Sequence, residues 1–319
     1  MSEKNSVSSG GTIFRAPKLK PGDRVRLVSP ASTPERNGVR HCVEIFKSWG
    51  LKVELGAHIY DRYGYLAGTD EDRLADINDA LRDPGVRAII ATRGGKGAYR
   101  IADQLDFKAA RKDPKPLVGF SENTSLHLAL LKYCHIPGIH GAISSWNVDS
   151  LDEEVTEALR HLLMTTEPVT LRSDLTINTA ILSTKGTARG RLVGGNQDMV
   201  ATTAGWALPS LDGVILLLEA IGMRLGHIDR QLTMLQNAGH LKGLKGIALG
   251  CYLNCDPDAT TQGNWTAMDV LRDRLQRLNV PILGGLRLGH QIGAVSVPVG
   301  TMAVLDVAKG TLIVESGVA

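Results

Sequence analysis

Nowhere in these 319 residues does an apolar run approach the roughly 20 residues that a membrane-crossing helix needs. No membrane partner is expected. Cysteines are few, and Cys42, Cys134, Cys251 and Cys255 lie too far scattered for a disulfide framework. Cys251 and Cys255 could form half of a zinc site, but no second cysteine or histidine pair follows at finger spacing. Free thiols are the simpler reading, and neither metal nor cofactor is expected. An excess of one charge is lacking too. The 36 Lys and Arg residues against 33 Asp and Glu leave +3, which gives no reason to expect nucleic acid as a partner. The opening stretch MSEKNSVSSGGTIFRAPK is polar and lacks the apolar core of a signal peptide. Residues 1–18 are therefore read as a flexible leader, and a cytoplasmic location is expected. No internal repeat is found.

The chain does have the length for two domains, and its 35 glycines imply many tight turns. From Leu19 onward, short apolar runs alternate with amphipathic stretches. Val25–Pro30, Leu51–Leu55, Val86–Thr92 and Ile136–Ile139 read as strands. Segments from about Glu35 to Gly50, Asp70 to Asp83 and Ala98 to Leu105 read as helices. This spacing argues βαβ units, a mainly parallel sheet, and sites beyond the carboxyl ends of its strands. Ser29, Arg93-Gly94-Gly95, Ser121 and His140 all fall at or just past such ends. After a helix at Leu151–Met164 the character changes, and 165–187 is polar and irregular. The expected architecture is α/β: a domain over 19–164, a linker over 165–187, and a smaller α+β or barrel-like domain over 188–319.

The stretch around Ser121 is the most informative. Leu117 and Val118 end an apolar run, Gly119-Phe-Ser-Glu-Asn turns the chain, and Thr124–Tyr133 reads as helix. Strand, sharp turn and helix can expose a serine hydroxyl and aim free N–H groups at charge developing beside it. Asn123 stands where the usual G-x-S-x-G elbow keeps a glycine, so Ser121 is also readable as an ordinary helix N-cap. Glu219 ends the apolar run GVILLLE, where a lone carboxylate is costly without a partner. His290 sits in a glycine-flanked loop. Ser121, Glu219 and His290 stand in one of the known triad orders, with functional and bland readings both open. Arg93-Gly-Gly-Lys-Gly97 is open to three readings: a phosphate loop without the usual spacing, a structural turn, or backbone supplying an oxyanion donor. His127 is read as packing.

Eight segments taken in order resolve much of this. Tyr65-Leu-Ala-Gly-Thr-Asp-Glu-Asp-Arg73, Asp83-Pro84, Arg93-Gly-Gly, Gly119-Phe-Ser121, His140-Gly141, Gly194-Gly-Asn196, Asp229-Arg230 and Gly289-His290 resemble the successive motifs of the LD-carboxypeptidase family. That family includes muramoyl-tetrapeptide carboxypeptidases and microcin C immunity peptidases. The resemblance runs from about Leu19 to the C-terminus. It implies an N-terminal α/β sandwich, a C-terminal swivelling domain and a Ser-Glu-His triad formed by Ser121, Glu219 and His290. The oxyanion hole would use backbone N–H groups of Glu122 and of the Gly94-Gly95 pair, Gly95 being the chosen donor. Arg93, Gly94, Lys96, His140, Trp146 and Asn196 are the expected substrate-binding positions. Three residues depart from the family pattern: Glu122 stands for Asp, Lys96 for an aromatic, and Ala142 for proline.

The implied function is a serine peptidase cleaving an amide next to a free carboxylate, foremost the release of terminal D-alanine from murein tetrapeptide. An amidase acting on an aminoacyl nucleotide or another natural product is the alternative, in which Trp146 would stack on an aromatic group unless it merely packs. A catalytically inactive α/β binding protein and a nucleotide-dependent enzyme are the rivals from other classes. The family often forms dimers, so a homodimer is expected.

Overall fold

A computed structural model describes residues 11–141, 153–255 and 264–319. In its first half, apolar runs form parallel strands β1 (Arg24–Val28), β2 (Lys52–Leu55), β3 (Val86–Ala91), β4 (Leu117–Gly119) and β5 (Gly138–His140). Their order is β5-β4-β3-β1-β2. Helices α1 (Arg36–Ser48), α2 (Asp70–Arg82), α3 (Ala98–Ile101), α4 (Phe107–Lys112), α5 (Thr124–Cys134) and α6 (Glu153–Met164) cover the sheet. Because side chains alternate across a strand, Val25, Leu27, Ala88, Ile90 and Val118 pack against α1 and α6. Val28, Ile89 and Leu117 face the opposite layer, against α2 to α5. The result is a three-layer sandwich. α2 starts where it does because Thr69 and Asp72 form a capping box, each side chain satisfying the other's backbone N–H.

The second half supplies β6 (Val169–Arg172), β7 (Thr187–Asn196), β8 (Val214–Ile221), β9 (Gly246–Leu253), β10 (Ile282–Leu283), β11 (Val297–Val299), β12 (Met302–Asp306) and β13 (Thr311–Val314). Helices α7 (Gln197–Thr202), α8 (Leu225–Asn237) and α9 (Ala267–Leu275) pack on one face of its sheet, through Val200, Leu232 and Leu271. The sheet runs β10-β9-β8-β7-β12-β13-β6, parallel from β10 to β7 and antiparallel beyond. β11 leaves it and pairs antiparallel with β5, so the C-terminal chain completes the first sheet as its sixth strand.

The second sheet holds seven described strands and the first six. Three expectations need adjusting. The span 165–187 is not a simple linker, since β6 pairs along β13 and a 3₁₀ turn covers Asn178–Leu182. Threonine-rich polarity there marks an edge strand with one wet face, not absence of structure. Residues 11–18 are tied down instead of loose: Phe14 N–H donates to His135 O at 2.9 Å and Lys18 N–H to Ala319 O at 2.9 Å. The helix expected from Ala98 to Leu105 ends at Ile101. Among the described residues, no helix is long and apolar enough to cross a membrane.

Both halves meet along α5. Leu128 and Leu131 on that helix enter the same apolar cluster as Val193, Val200 and Leu208. The Asn196 N–H donates to Thr124 Oγ1 at 3.1 Å, joining the end of β7 to the first turn of α5.

Candidate active site

Ser121 stands just past β4, separated from it by Phe120. Its φ of +59° is a left-handed conformation that a residue with a Cβ adopts at a cost of about 1 kcal/mol. The strain has a visible consequence. Residues Glu122 to Leu131 are all buried, whereas Ser121 remains partly exposed. The N-cap reading fails, because the Asn123 N–H already donates to Phe120 O at 3.1 Å and the Thr124 N–H turns back to Ser121 and Glu122 carbonyls. Asn123, which stands in the glycine's place, puts its amide to use. Its Nδ2 donates to Phe120 O at 3.1 Å and to Arg93 O at 3.2 Å, linking the turn to the loop after β3.

That loop, Arg93–Gly97, presses against the serine. A Cβ on Gly94 would lie 2.8 Å from Ser121 Cβ and 3.0 Å from its Oγ, so only glycine fits. The Lys96 N–H is taken by Ser32 Oγ at 3.1 Å and the Gly97 N–H by Glu122 Oε1 at 2.7 Å. The Lys96 and Gly97 N–H groups are thus spent elsewhere, and Gly94 is the loop residue packed against the serine. Lys96 is exposed. The Arg93 guanidinium, half-buried, donates to Thr33 O at 3.0 Å, and burial lowers its pKa.

The second half contributes side chains. Glu219 lies on β8 where the register with β9 slips between Leu218 and Ala220. Such a bulge re-aims a side chain. Glu219 is fully buried, and its Oε2 lies 2.8 Å from His290 Nδ1. On the other oxygen, Asn196 Nδ2 donates to Oε1 at 3.2 Å, across the β7–β8 pair in which the two residues stand opposite each other. Burial opposes the charge of Glu219. The bond to His290, the charge of His290 and the Asn196 amide outweigh it, and the pKa is lowered. With Nδ1 engaged on the carboxylate, Nε2 of His290 is the nitrogen left for a proton acceptor's role. Gly289 permits the contact: its φ is +111° and a Cβ would stand 2.7 Å from Glu219 Oε2.

The two sets face each other. The Phe120 and His290 rings are 4.8 Å apart, which brings the histidine beside the residue preceding Ser121. His140, expected to meet substrate, is instead 1% exposed under this contact, opposite Gly119 in the β4–β5 pair. Among the described residues, neither of its ring nitrogens has a hydrogen-bond partner. Burial pushes its pKa down to about 4, so it is neutral near pH 7. Asn196 likewise spends its amide on Glu219. Trp146 and Ala142 lie outside the described residues.

All four cysteines are buried free thiols. Among the described residues, the group able to offer a metal three ligand atoms is His58, Asp61 and Asp72, on the β2–α2 side. His58 Nδ1 is already engaged with Asp61 Oδ2 at 2.7 Å. Sequence reasoning missed two features: the Glu122 carboxylate as a partner of the glycine loop, and Asn196 as a partner of Glu219. Pairing of Asn196 with Glu219 needs the register of two strands 23 positions apart, which no local pattern reports.

Comparison with known proteins sharpens the picture. Residues 25–141 match the model of the LD-carboxypeptidase N-terminal domain, and residues 189–305 that of the LD-carboxypeptidase C-terminal domain. The chain belongs to the LD-carboxypeptidase family. A Bacillus subtilis protein named as a probable murein peptide carboxypeptidase is 32% identical over 308 residues, covering 96% of this chain and 95% of its own. The structure of muramoyltetrapeptide carboxypeptidase from Oxalobacter formigenes aligns with a TM-score of 0.80 at 26% identity, covering 93% and 100% of the two chains. The microcin C7 self-immunity protein MccF, in complex with aspartyl sulfamoyl adenosine, aligns at 0.82 with 21% identity, over 96% and 100%. Both halves thus carry the two-domain α/β fold of the family, and the chain is a peptidase-type hydrolase.

Proposed function

We propose that this LD-carboxypeptidase family member is a serine peptidase that releases the terminal D-alanine of a murein tetrapeptide, as a step in cytoplasmic peptidoglycan recycling. The observation that carries the chemistry is the buried Glu219–His290 pair set beside Phe120, the residue that precedes Ser121. The murein substrate is supported by the names of the relatives that match along nearly the whole chain. His290 Nε2 takes the proton of Ser121 Oγ, which forms a bond to the scissile carbonyl carbon. The carbonyl π electrons move to oxygen, where the N–H groups of Gly95 and Glu122 receive the charge. Collapse breaks the C–N bond, and His290 returns the proton to the leaving amine nitrogen of D-alanine. Water then repeats the sequence on the acyl-enzyme and frees Ser121. Glu219 keeps the imidazole in the productive tautomer and stabilises its charged form.

Mass spectrometry of the chain incubated with L-Ala-D-Glu-meso-diaminopimelate-D-Ala tests this. Loss of one D-alanine with the native protein and none with Ser121→Ala is the expected result. Equal turnover by both would remove Ser121 from the mechanism. A second reading, cleavage of an aminoacyl-nucleotide amide, is favoured by the fold shared with MccF bound to aspartyl sulfamoyl adenosine. Hydrolysis of such an adenosine conjugate, without tetrapeptide cleavage, would select it.

A further inference from the structure

Glu122 does more than follow the nucleophile. Only 3% exposed, it directs Oε1 to the Gly97 N–H at 2.7 Å. The carbonyl of the same Gly97 accepts from Arg73 Nη1 at 2.8 Å, and that nitrogen also donates to Pro30 O at 2.6 Å. Arg73 is itself 1% exposed and is held from behind by Asp70, which Arg100 grips through both carboxylate oxygens. Gly97 is therefore clamped at its N–H by the elbow and at its C=O by a buried arginine. Farther along the loop, Ser32 holds Gly94 O and Lys96 N, and Asn123 holds Arg93 O. Two of the anchors of Arg93–Gly97, Asn123 and Glu122, come from the serine's own turn.

A buried carboxylate is costly to desolvate and is seldom kept without a task. The bond of the Glu122 carboxylate runs through Oε1 to the Gly97 N–H, on the loop and not on the serine hydroxyl. The geometry points to Glu122, braced by Arg73 across Gly97, as a positioning residue that sets the distance between the Gly94–Gly95 N–H groups and Ser121. The inference rests on the proposed oxyanion role of this loop. A displacement of about 1 Å at such donors costs on the order of a hundredfold in rate. Charged groups around Glu122 are Lys96 and Arg73 on the first domain and Asp198 on α7.

The test uses the full chain with Glu122→Ala, Glu122→Gln and Glu122→Asp. Two rates are read: D-alanine release, and covalent labelling of Ser121 by a fluorophosphonate, whose phosphoryl oxygen needs the same N–H donors. For Glu122→Ala, kcat and the labelling rate should fall together by about a hundredfold with KM little changed. Glu122→Gln keeps an acceptor for the Gly97 N–H and should recover to within about threefold, whereas Glu122→Asp, one methylene short, should not. If Glu122→Ala folds less stably but labels at the native rate, the role is structural only and the positioning inference is overturned. Should Glu122→Ala fail to fold, a Glu122→Asp protein that labels at the native rate overturns it equally. Labelling of the native chain without tetrapeptide cleavage would sink the murein substrate while leaving the labelling comparison to decide the clamp.

Discussion

Two regions build this site by different physics. Around Ser121 nearly everything that matters is backbone: a left-handed serine, a loop so close that a Cβ on Gly94 would stand 3.0 Å from its hydroxyl oxygen, and N–H groups aimed by their anchors. Around Glu219 everything that matters is buried charge: one carboxylate, fully desolvated, kept ionised by a histidine and an amide. The first region fails by changes of a fraction of an ångström, and the second by loss of a partner that compensates for burial. Each region is also assembled differently. The serine's neighbours come from loops at the ends of β3 and β4, close in the chain. Glu219, Asn196 and His290 come from three segments joined only in the second sheet.

The comparison can be broken most forcefully at its two centres. Ser121→Ala should lower kcat for D-alanine release by about four powers of ten or more while leaving the melting temperature nearly unchanged. Glu219→Gln should cost about three to four powers of ten in kcat, because an amide cannot hold the same imidazole tautomer or balance its charge. Steady-state kinetics alongside thermal melts separates these from unfolding. Next in size, Gly289→Ala places a Cβ 2.7 Å from Glu219 Oε2 at a φ of +111° and should destabilise by about 2–4 kcal/mol in denaturant titration. Gly293→Ala is the control. Its φ is +73° but no atom lies within 4 Å of the added Cβ, so only about 1 kcal/mol of backbone strain is expected. Equal costs at the two glycines would show that crowding at Glu219 is unimportant.

Glu122 offers a pH contrast between the regions. Burial raises its pKa to about 7, against the Gly97 N–H bond and the Lys96 charge, which lower it. Between the unfolded value of 4.5 and about 7, the native state holds a proton that the unfolded chain has released. Stability from this group therefore falls as pH rises through that window and stays lower above it. Glu122→Gln removes the deficit: it should match the native stability below pH 4.5 and exceed it by at most about 3 kcal/mol above pH 7. Glu219 has the opposite sign, its lowered pKa adding stability that is lost only on acidification. Denaturant midpoints across pH 4 to 8 read Glu122, and extending them below pH 4 reads Glu219. The smallest effect is Ser121→Gly, which should be more stable than Ser121→Ala by about 1 kcal/mol, because glycine relieves the left-handed strain.

Much of the first domain is legible in the chain. The runs Val86–Thr92 and Leu117–Val118 carry strand periodicity, Thr69 with Asp72 writes a helix start, and Gly119-Phe-Ser marks an elbow. β6 and β11 are harder to see. β6 is short, with polar residues on its wet side, and β11 includes Pro298 and belongs to a sheet whose other strands lie more than 150 residues earlier. His140 and Asn196 show the same limit at the level of function. Their motifs place them near the site, but whether a side chain faces substrate or a buried carboxylate depends on strand register, which is a property of pairs of segments.

Local periodicity and turn chemistry encode the alternating strands and helices, the sharp turn at Ser121, and the candidate acid and base, Glu219 and His290. What those residues touch depends on how distant segments pack. It took the slip between β8 and β9 to turn Glu219 toward His290, the return of β11 to knit the C-terminal chain to the first sheet, and the packing of α2 by the glycine loop to bring Arg73 to the carbonyl of Gly97, whose N–H Glu122 holds. The physical reason is distance along the chain. Local torsions and patterning are set by neighbours in sequence, whereas hydrogen bonds to buried charge are set by whichever distant segment closes over it.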